Sequence, residues 1–222
     1  MTRTAYILPV LLLFLAGCAG VAPPQPKPPV ESAAEIRERA REAVARGEFV
    51  DAARLYRRLA EAAEPSRRNE LWLRAATARV RAGQLAEAEA DLGRLDRTAL
   101  SATGRMQLQL LEAERALLRH RPERALDLLA VPKAPEVEAA LQAEYHALRA
   151  RAHSQLEQPI ESARERVLRG HYLQDPLEIE INRDAIWNAL SAVEPEVLKR
   201  REGDLRDTLG GWLALARLAR VL

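Results

Sequence analysis

Ala82-Gly83-Gln84-Leu85-Ala86-Glu87-Ala88-Glu89-Ala90-Asp91-Leu92 is one of four related stretches in a chain of 222 residues. The others are Arg46-Gly47-Glu48-Phe49-Val50-Asp51-Ala52-Ala53-Arg54-Leu55-Tyr56, then Arg121 to Leu129, then Gln158 to Val167. Aligning the small residues Ala52, Ala88, Ala125 and Ala163 gives separations of 36, 37 and 38. The large apolar residues four positions on, Tyr56, Leu92, Leu129 and Val167, keep the same separations. A period in this range marks helical-repeat architectures, the tetratricopeptide unit having about 34 residues. In such a unit a glycine or proline turns the chain. A small residue early in the second helix then lets two helices approach closely. Gly47 and Gly83 fit the turn, and the third and fourth units carry Pro122 and Pro159, which suit a first helical turn.

Outward from these stretches the helical pattern continues. Ser32-Ala33-Ala34-Glu35 has capping-box spacing. Pro65, Pro122, Pro132, Pro135, Pro159, Pro176 and Pro195 all fall at the ends of apolar-periodic runs. The pattern predicts helices over 33–46, 49–63, 67–82, 85–95, 101–119, 123–130, 135–156 and 160–173. A further helix begins at Asn182, capped by it or by a neighbour. A break at Glu194-Pro195 follows, and a last short helix begins at Gly210-Gly211. The fold class is all-α: a tetratricopeptide-like solenoid of about four helix pairs with a carboxyl-terminal helical closing unit. Stacking supplies a core that no pair buries alone. A stack of this kind should offer a concave face, with Trp72, Tyr145 and Tyr172 as the large side chains available; packing between repeats is the favoured role for each.

Composition agrees. Apolar residues make up 48% and charged residues 30%, enough for a core and a solvated surface. A net charge of +2 excludes the strongly basic footprint of a nucleic-acid binder. Acidic and basic residues alternate at helical spacing, as at Glu35, Arg39 and Glu38, Arg41, which reads as solvated ion pairs. One cysteine and four histidines (His120, His146, His153, His171) leave no zinc-ligand spacing. His146 and His153 read as solvated or half-buried structural residues. No nucleophile elbow, metal cluster or phosphate loop appears, so no catalytic residue, cofactor or metal site is expected.

The amino end carries a different signal. Arg3 precedes an apolar run from Ala5 to Leu15, too short to span a bilayer. It ends in Leu15-Ala16-Gly17-Cys18, a full bacterial lipobox, in which the Cys18 thiol takes the lipid. The expectation is a signal peptide over 1–17, a lipidated Cys18 with a Pro-rich linker over 18–31, and the helical domain over 32–222. Ala19 rather than Asp after the cysteine implies the outer membrane, facing the periplasm. The linker should be extended and reach roughly 35 Å.

Asn182, Ile186-Trp187, Leu190-Ser191, Leu198 and Gly211-Trp212-Leu213-Ala214-Leu215-Ala216 resemble the end of the amino-terminal domain of LppC/LpoA-type lipoproteins, the penicillin-binding protein activators. The resemblance covers the mature chain in order. It implies a lipid-anchored, non-enzymatic regulator that stimulates a class A penicillin-binding protein, a peptidoglycan synthase, by protein contact. No small-molecule substrate or nucleic acid is implied. In the family a periplasmic-binding-protein-like domain follows, and it is absent before Leu222; the apolar end from Trp212, without a helix stop signal, points to truncation. The alternative is a repeat scaffold lipoprotein of an outer-membrane assembly or of a pilus or secretin system. Partner-contact residues are not identified by the sequence.

Overall fold

A computed structural model describes residues 31–130 and 138–218. Cys18, its lipobox and the Pro-rich linker lie outside the described residues, as do the expected helical positions 135–137. From Ser32 onward the described residues form one compact unit of ten α-helices. They are α1 Ala33–Ala45, α2 Phe49–Ala62, α3 Pro65–Arg81, α4 Leu85–Leu92, α5 Ala102–Leu118, α6 Pro122–Leu128, α7 Ala139–Gln155, α8 Pro159–Gly170, α9 Pro176–Ser191 and α10 Pro195–Leu218. A 3₁₀ turn, Arg97–Ala99, joins α4 to α5.

Local chemistry sets these boundaries. The capping box forms: Ser32 Oγ accepts from the Glu35 backbone at 3.2 Å, and Glu35 returns a carboxylate to the Ser32 N–H at 2.7 Å. Those bonds from Ser32 hold the Glu35 carboxyl below its usual range. Glu38 pairs with Arg41 at 3.3 Å on the exposed face. Pro65, Pro122, Pro159, Pro176 and Pro195 each open a helix. There the missing N–H costs nothing and φ is already helical.

The four turns that define the repeat share one backbone geometry. After α1, α3, α5 and α7 the chain closes with a six-residue bond: Glu48 to Ala43, Gln84 to Arg79, Arg121 to Ala116 and Gln158 to His153, at 2.8–2.9 Å. A second bond runs inside each, from Gly47, Gly83, His120 and Glu157 to the carbonyl three residues back. This is the Schellman closure, whose middle residue takes a left-handed backbone. The φ values are 75° and 74° at the two glycines, and 53° at His120 and 57° at Glu157. The left-handed turn therefore persists in the third and fourth units without glycine, and the prolines follow it rather than replace it. A Cβ at Gly47 or Gly83 would meet nothing within 4 Å, so substitution there is opposed by backbone conformation alone. The left-handed region costs an L-residue roughly 1–2 kcal/mol, partly offset by the extra freedom glycine loses on folding. Gly83→Ala should lower stability by about 1 kcal/mol, whereas His120→Gly and Glu157→Gly should each raise it by about 0.5–1 kcal/mol. Urea unfolding of the three variants tests this; the same sign for all of them would disprove the common turn.

Packing follows the repeat. Ala52, Ala88, Ala125 and Ala163 are all 0% exposed, so each second helix lies against its neighbours through a residue with one methyl group. Tyr56, Leu92 and Leu129 are buried beside them, and Val167 is half-buried. The core is four linked clusters, over α1–α3, α3–α5, α5–α7 and α8–α10. Every substantial helix–helix contact joins helices adjacent or next but one in the chain. Buried ion pairs reinforce two of the pairs: Arg79 to Asp91 between α3 and α4, and Arg149 to Glu165 between α7 and α8, both at 2.7 Å.

The closing unit departs from expectation at two places. Asn182 does not start α9. Asp175 caps the helix by accepting from the Leu177 N–H at 3.0 Å, and Pro176 supplies its first residue. Asn182 lies nearly two turns inside, buried, donating Nδ2 to the Arg166 carbonyl at 2.8 Å. The Asp-Pro pair is the stronger start signal because it caps and fixes φ together. Nor is the last helix short: α10 runs 24 residues from Pro195 through Gly210-Gly211. Glycine inside a helix costs about 1 kcal/mol. Burial of Leu198, Leu209 and Ala216 against α8 and α9 outweighs it. Trp187 and Trp212 are half-buried against the same cluster.

Candidate partner-binding groove

The first helix of each pair (α1, α3, α5, α7 and then α9) lines a run of three clefts. The first, about 320 Å³, lies between α1 and α3 under Arg37, Arg41, Arg67 and Arg74, with Glu70 and Tyr56 beside them. The second, about 250 Å³, has a floor of Phe49, Leu73, Leu110 and Leu141 and a charged rim of Arg74, Arg81, Glu114 and Glu144. The third, about 640 Å³, lies along the Ala139, Ala143 and Ala147 face of α7, closed by Tyr172 and by Arg169 and Glu178. Tyr56 and Arg74 border the first and second clefts; Arg81 and Glu144 border the second and third. The three clefts thus adjoin one another and are taken together as one groove.

Its charge is not uniform. At the α1 end Arg41 is shared with Glu38, and Arg74 is held by Glu70 at 2.7 Å while lying 5.9 Å above the Tyr56 ring. Arg37 and Arg67 have no carboxylate partner among the described residues. Toward α7 the sign changes. Burial pushes the Glu144 carboxyl up, Arg81 partly counters that, and Glu114 adds to it. Glu144 has no ion-pair or hydrogen-bond partner of its own among the described side chains, and Arg81 lies 5.9 Å over the Phe49 ring. The groove therefore offers cation at one end, apolar floor in the middle and carboxylate beyond it.

Of the three aromatic residues singled out in the sequence, only Tyr172 lines this groove. Trp72 is core, its ring 4.7 Å beneath the Arg94 guanidinium. Tyr145 is buried and donates its hydroxyl to the Leu129 carbonyl at 2.7 Å. Tyr172 stacks on His146, ring centroids 5.8 Å apart. His146 is buried rather than solvated or half-buried, with Nδ1 2.7 Å from Glu165 Oε2. A carboxylate only accepts, so Nδ1 carries the proton and donates. Arg149 Nε donates to the other oxygen of Glu165 at 2.7 Å. His153 meets Gln158 at 2.8 Å. No group of three or more His, Cys, Asp or Glu fit to hold a metal occurs among the described residues.

Arg37, Arg67, Glu114 and Glu144 were not singled out in the sequence, though a signal exists for some of the groove residues. Arg37 and Arg74 are 37 residues apart, as are Glu70, Gln107 and Glu144 in succession, and Ile181 continues that series. Carrying the period back from the second helices into the first ones would have placed these positions on one face. Leu177 and Ile181, at 62% and 58% exposed, stand one turn apart on α9.

Comparison with known proteins extends the likeness beyond fold. The family model "LppC putative lipoprotein" matches residues 49–222. "Penicillin-binding protein activator LpoA" of Vibrio vulnificus is 27% identical over 157 residues, 71% of this chain and 26% of its own length. Full-length LpoA from Haemophilus influenzae aligns with a TM-score of 0.63 at 19% identity, covering 77% of this chain and 31% of that one. The separate LpoA amino-terminal domain from the same organism aligns at 0.59 and 21% identity, covering 74% and 75%. The chain thus spans about a quarter to a third of the full-length relatives it matches. It belongs to the LppC lipoprotein family, and its helical unit is an LpoA-type amino-terminal domain of tetratricopeptide-like fold.

Proposed function

We propose that the protein is an outer-membrane lipoprotein, facing the periplasm, that stimulates a class A penicillin-binding protein by protein contact and without catalysis of its own. The observation that carries this reading is the family match over residues 49–222 together with a relative named as a penicillin-binding protein activator. The groove supports it, since its floor is apolar and its rim charged, the anatomy of a protein-contact surface. The sequence Leu15-Ala16-Gly17-Cys18 supports anchoring through lipid on Cys18, and the prolines after Ala19 support a tether that lifts the helical unit off the bilayer.

The test is reconstitution. Protein purified from its native membrane should raise glycan polymerisation or peptide crosslinking by the class A synthase of the same cells. No rise at saturating protein removes the activator reading, and co-purification with a β-barrel assembly machine or secretin instead would favour a scaffold. Cys18→Ser should leave the protein without lipid and in the soluble fraction. A lipid-bearing, membrane-bound C18S protein would refute the anchor.

A further inference from the structure

We infer that the groove takes one extended segment of a partner protein in a fixed electrostatic register. The segment places an acidic group over α1 and α3, apolar side chains over the middle floor, and a basic side chain between α5 and α7. This rests on the reading that the protein works by protein contact, and it names the chemistry of that contact.

The register follows from which charges lack partners. Arg37 and Arg67 face the first cleft with no carboxylate to neutralise them among the described residues. Two guanidiniums so placed match one carboxylate or a pair of them, and Arg geometry favours bidentate pairing. At the other end Glu114 and Glu144 face the same cleft from neighbouring helices, and the Glu114 charge disfavours that of Glu144. Arg81, the nearest cation, is turned over Phe49. A basic side chain entering there would relieve both carboxylates while the floor of Leu73, Leu110 and Leu141 holds the apolar residues before it. An anionic surface such as a lipid bilayer would be attracted to the arginine end and repelled from the glutamate end, so it does not fit the whole groove. The two ends are separated by two spacings between first helices, roughly 20 Å at 8–10 Å each. An extended chain covers that in about six residues.

The probe is the fluorescein-labelled octapeptide DELALAKK, with DELALAEE and KKLALAKK as charge-altered controls, titrated by anisotropy against the full chain at low salt. DELALAKK should bind most tightly, each control about tenfold more weakly, equivalent to about 1.4 kcal/mol. Glu144→Arg should transfer the preference to DELALAEE, and Arg67→Glu to KKLALAKK. If the Glu144→Arg protein does not fold, Glu144→Gln should still narrow the gap between DELALAKK and DELALAEE. Equal binding of the three peptides, or an unchanged order in the variants, overturns the proposal. So does dimerisation in sedimentation that Glu144→Arg abolishes, which would seat a second copy in the groove. The activator reading fails separately: peptide discrimination without synthase stimulation would leave the groove assignment standing, and stimulation untouched by E144R and R67E would leave only the activator.

Discussion

Glu165→Ala should destabilise the protein by about 3–5 kcal/mol, the cost of stranding buried charges whose partner has been removed. Glu165 is buried between α7 and α8 and accepts from both His146 Nδ1 and Arg149 Nε at 2.7 Å. Without it Arg149 keeps its charge in a largely buried place, and His146 Nδ1 loses the carboxylate to which it donates. Glu165→Gln retains the shape and one acceptor oxygen, so its loss should be smaller. The pH dependence has a definite sign. Burial alone would raise the Glu165 carboxyl, but the hydrogen bonds and charges of His146 and Arg149 outweigh it and hold it below its ordinary value of 4.5. A carboxyl depressed in the folded state contributes stability that is complete above 4.5 and is lost as pH falls through the lower folded value. Thermal unfolding of wild type and E165A across that acid range should therefore converge. A constant gap between them at all pH values would show that packing, not ionic pairing, accounts for the loss.

Leu129→Ala should cost about 2–5 kcal/mol, the range for a large apolar side chain removed from a core that cannot fully collapse. Leu129 is 0% exposed and lies in the α5–α7 cluster, four residues after the close-contact Ala125. Its repeat equivalent Val167 is smaller and half-buried. The loss at Val167→Ala should therefore be well under half as large, although the two positions are interchangeable in the repeat alignment. Urea midpoints with unchanged slopes would measure both. Equal losses would mean that the repeat register, rather than local burial, sets the energy.

That contrast marks what the sequence could reveal. Alanine recurring every 36–38 residues was legible because a close helix–helix approach admits few alternatives, and all four proved fully buried. The five prolines that open helices were legible for a similar reason, few positions in a helix accepting them, while Pro132 and Pro135 lie outside the described residues. His120 and Glu157 were not, because glycine is only the cheapest residue for a left-handed turn, and the same backbone bonds close around other residues as well. Asn182 misled because a good capping residue is also a good buried partner for a neighbouring helix's carbonyl. The groove was hidden for another reason. Arg37 and Glu144 mean nothing as single exposed-looking charges; they gain meaning when residues 37 apart are laid side by side, and charge carries no periodic apolar signal to prompt that.

The neighbour-only pattern of helix contacts gives the molecule an uneven clock. No contact between distant helices ties the two ends together among the substantial ones, so each helix pair opens at a cost set by itself and the pair beside it. Amide protons should accordingly exchange on a gradient, slowest in α3–α7, which are flanked on both sides, and fastest in α1 and α10. A ligand spanning α1 to α7 would couple units that are otherwise nearly independent. Its arrival would then register as slowed exchange in α1, far from most of the atoms it touches.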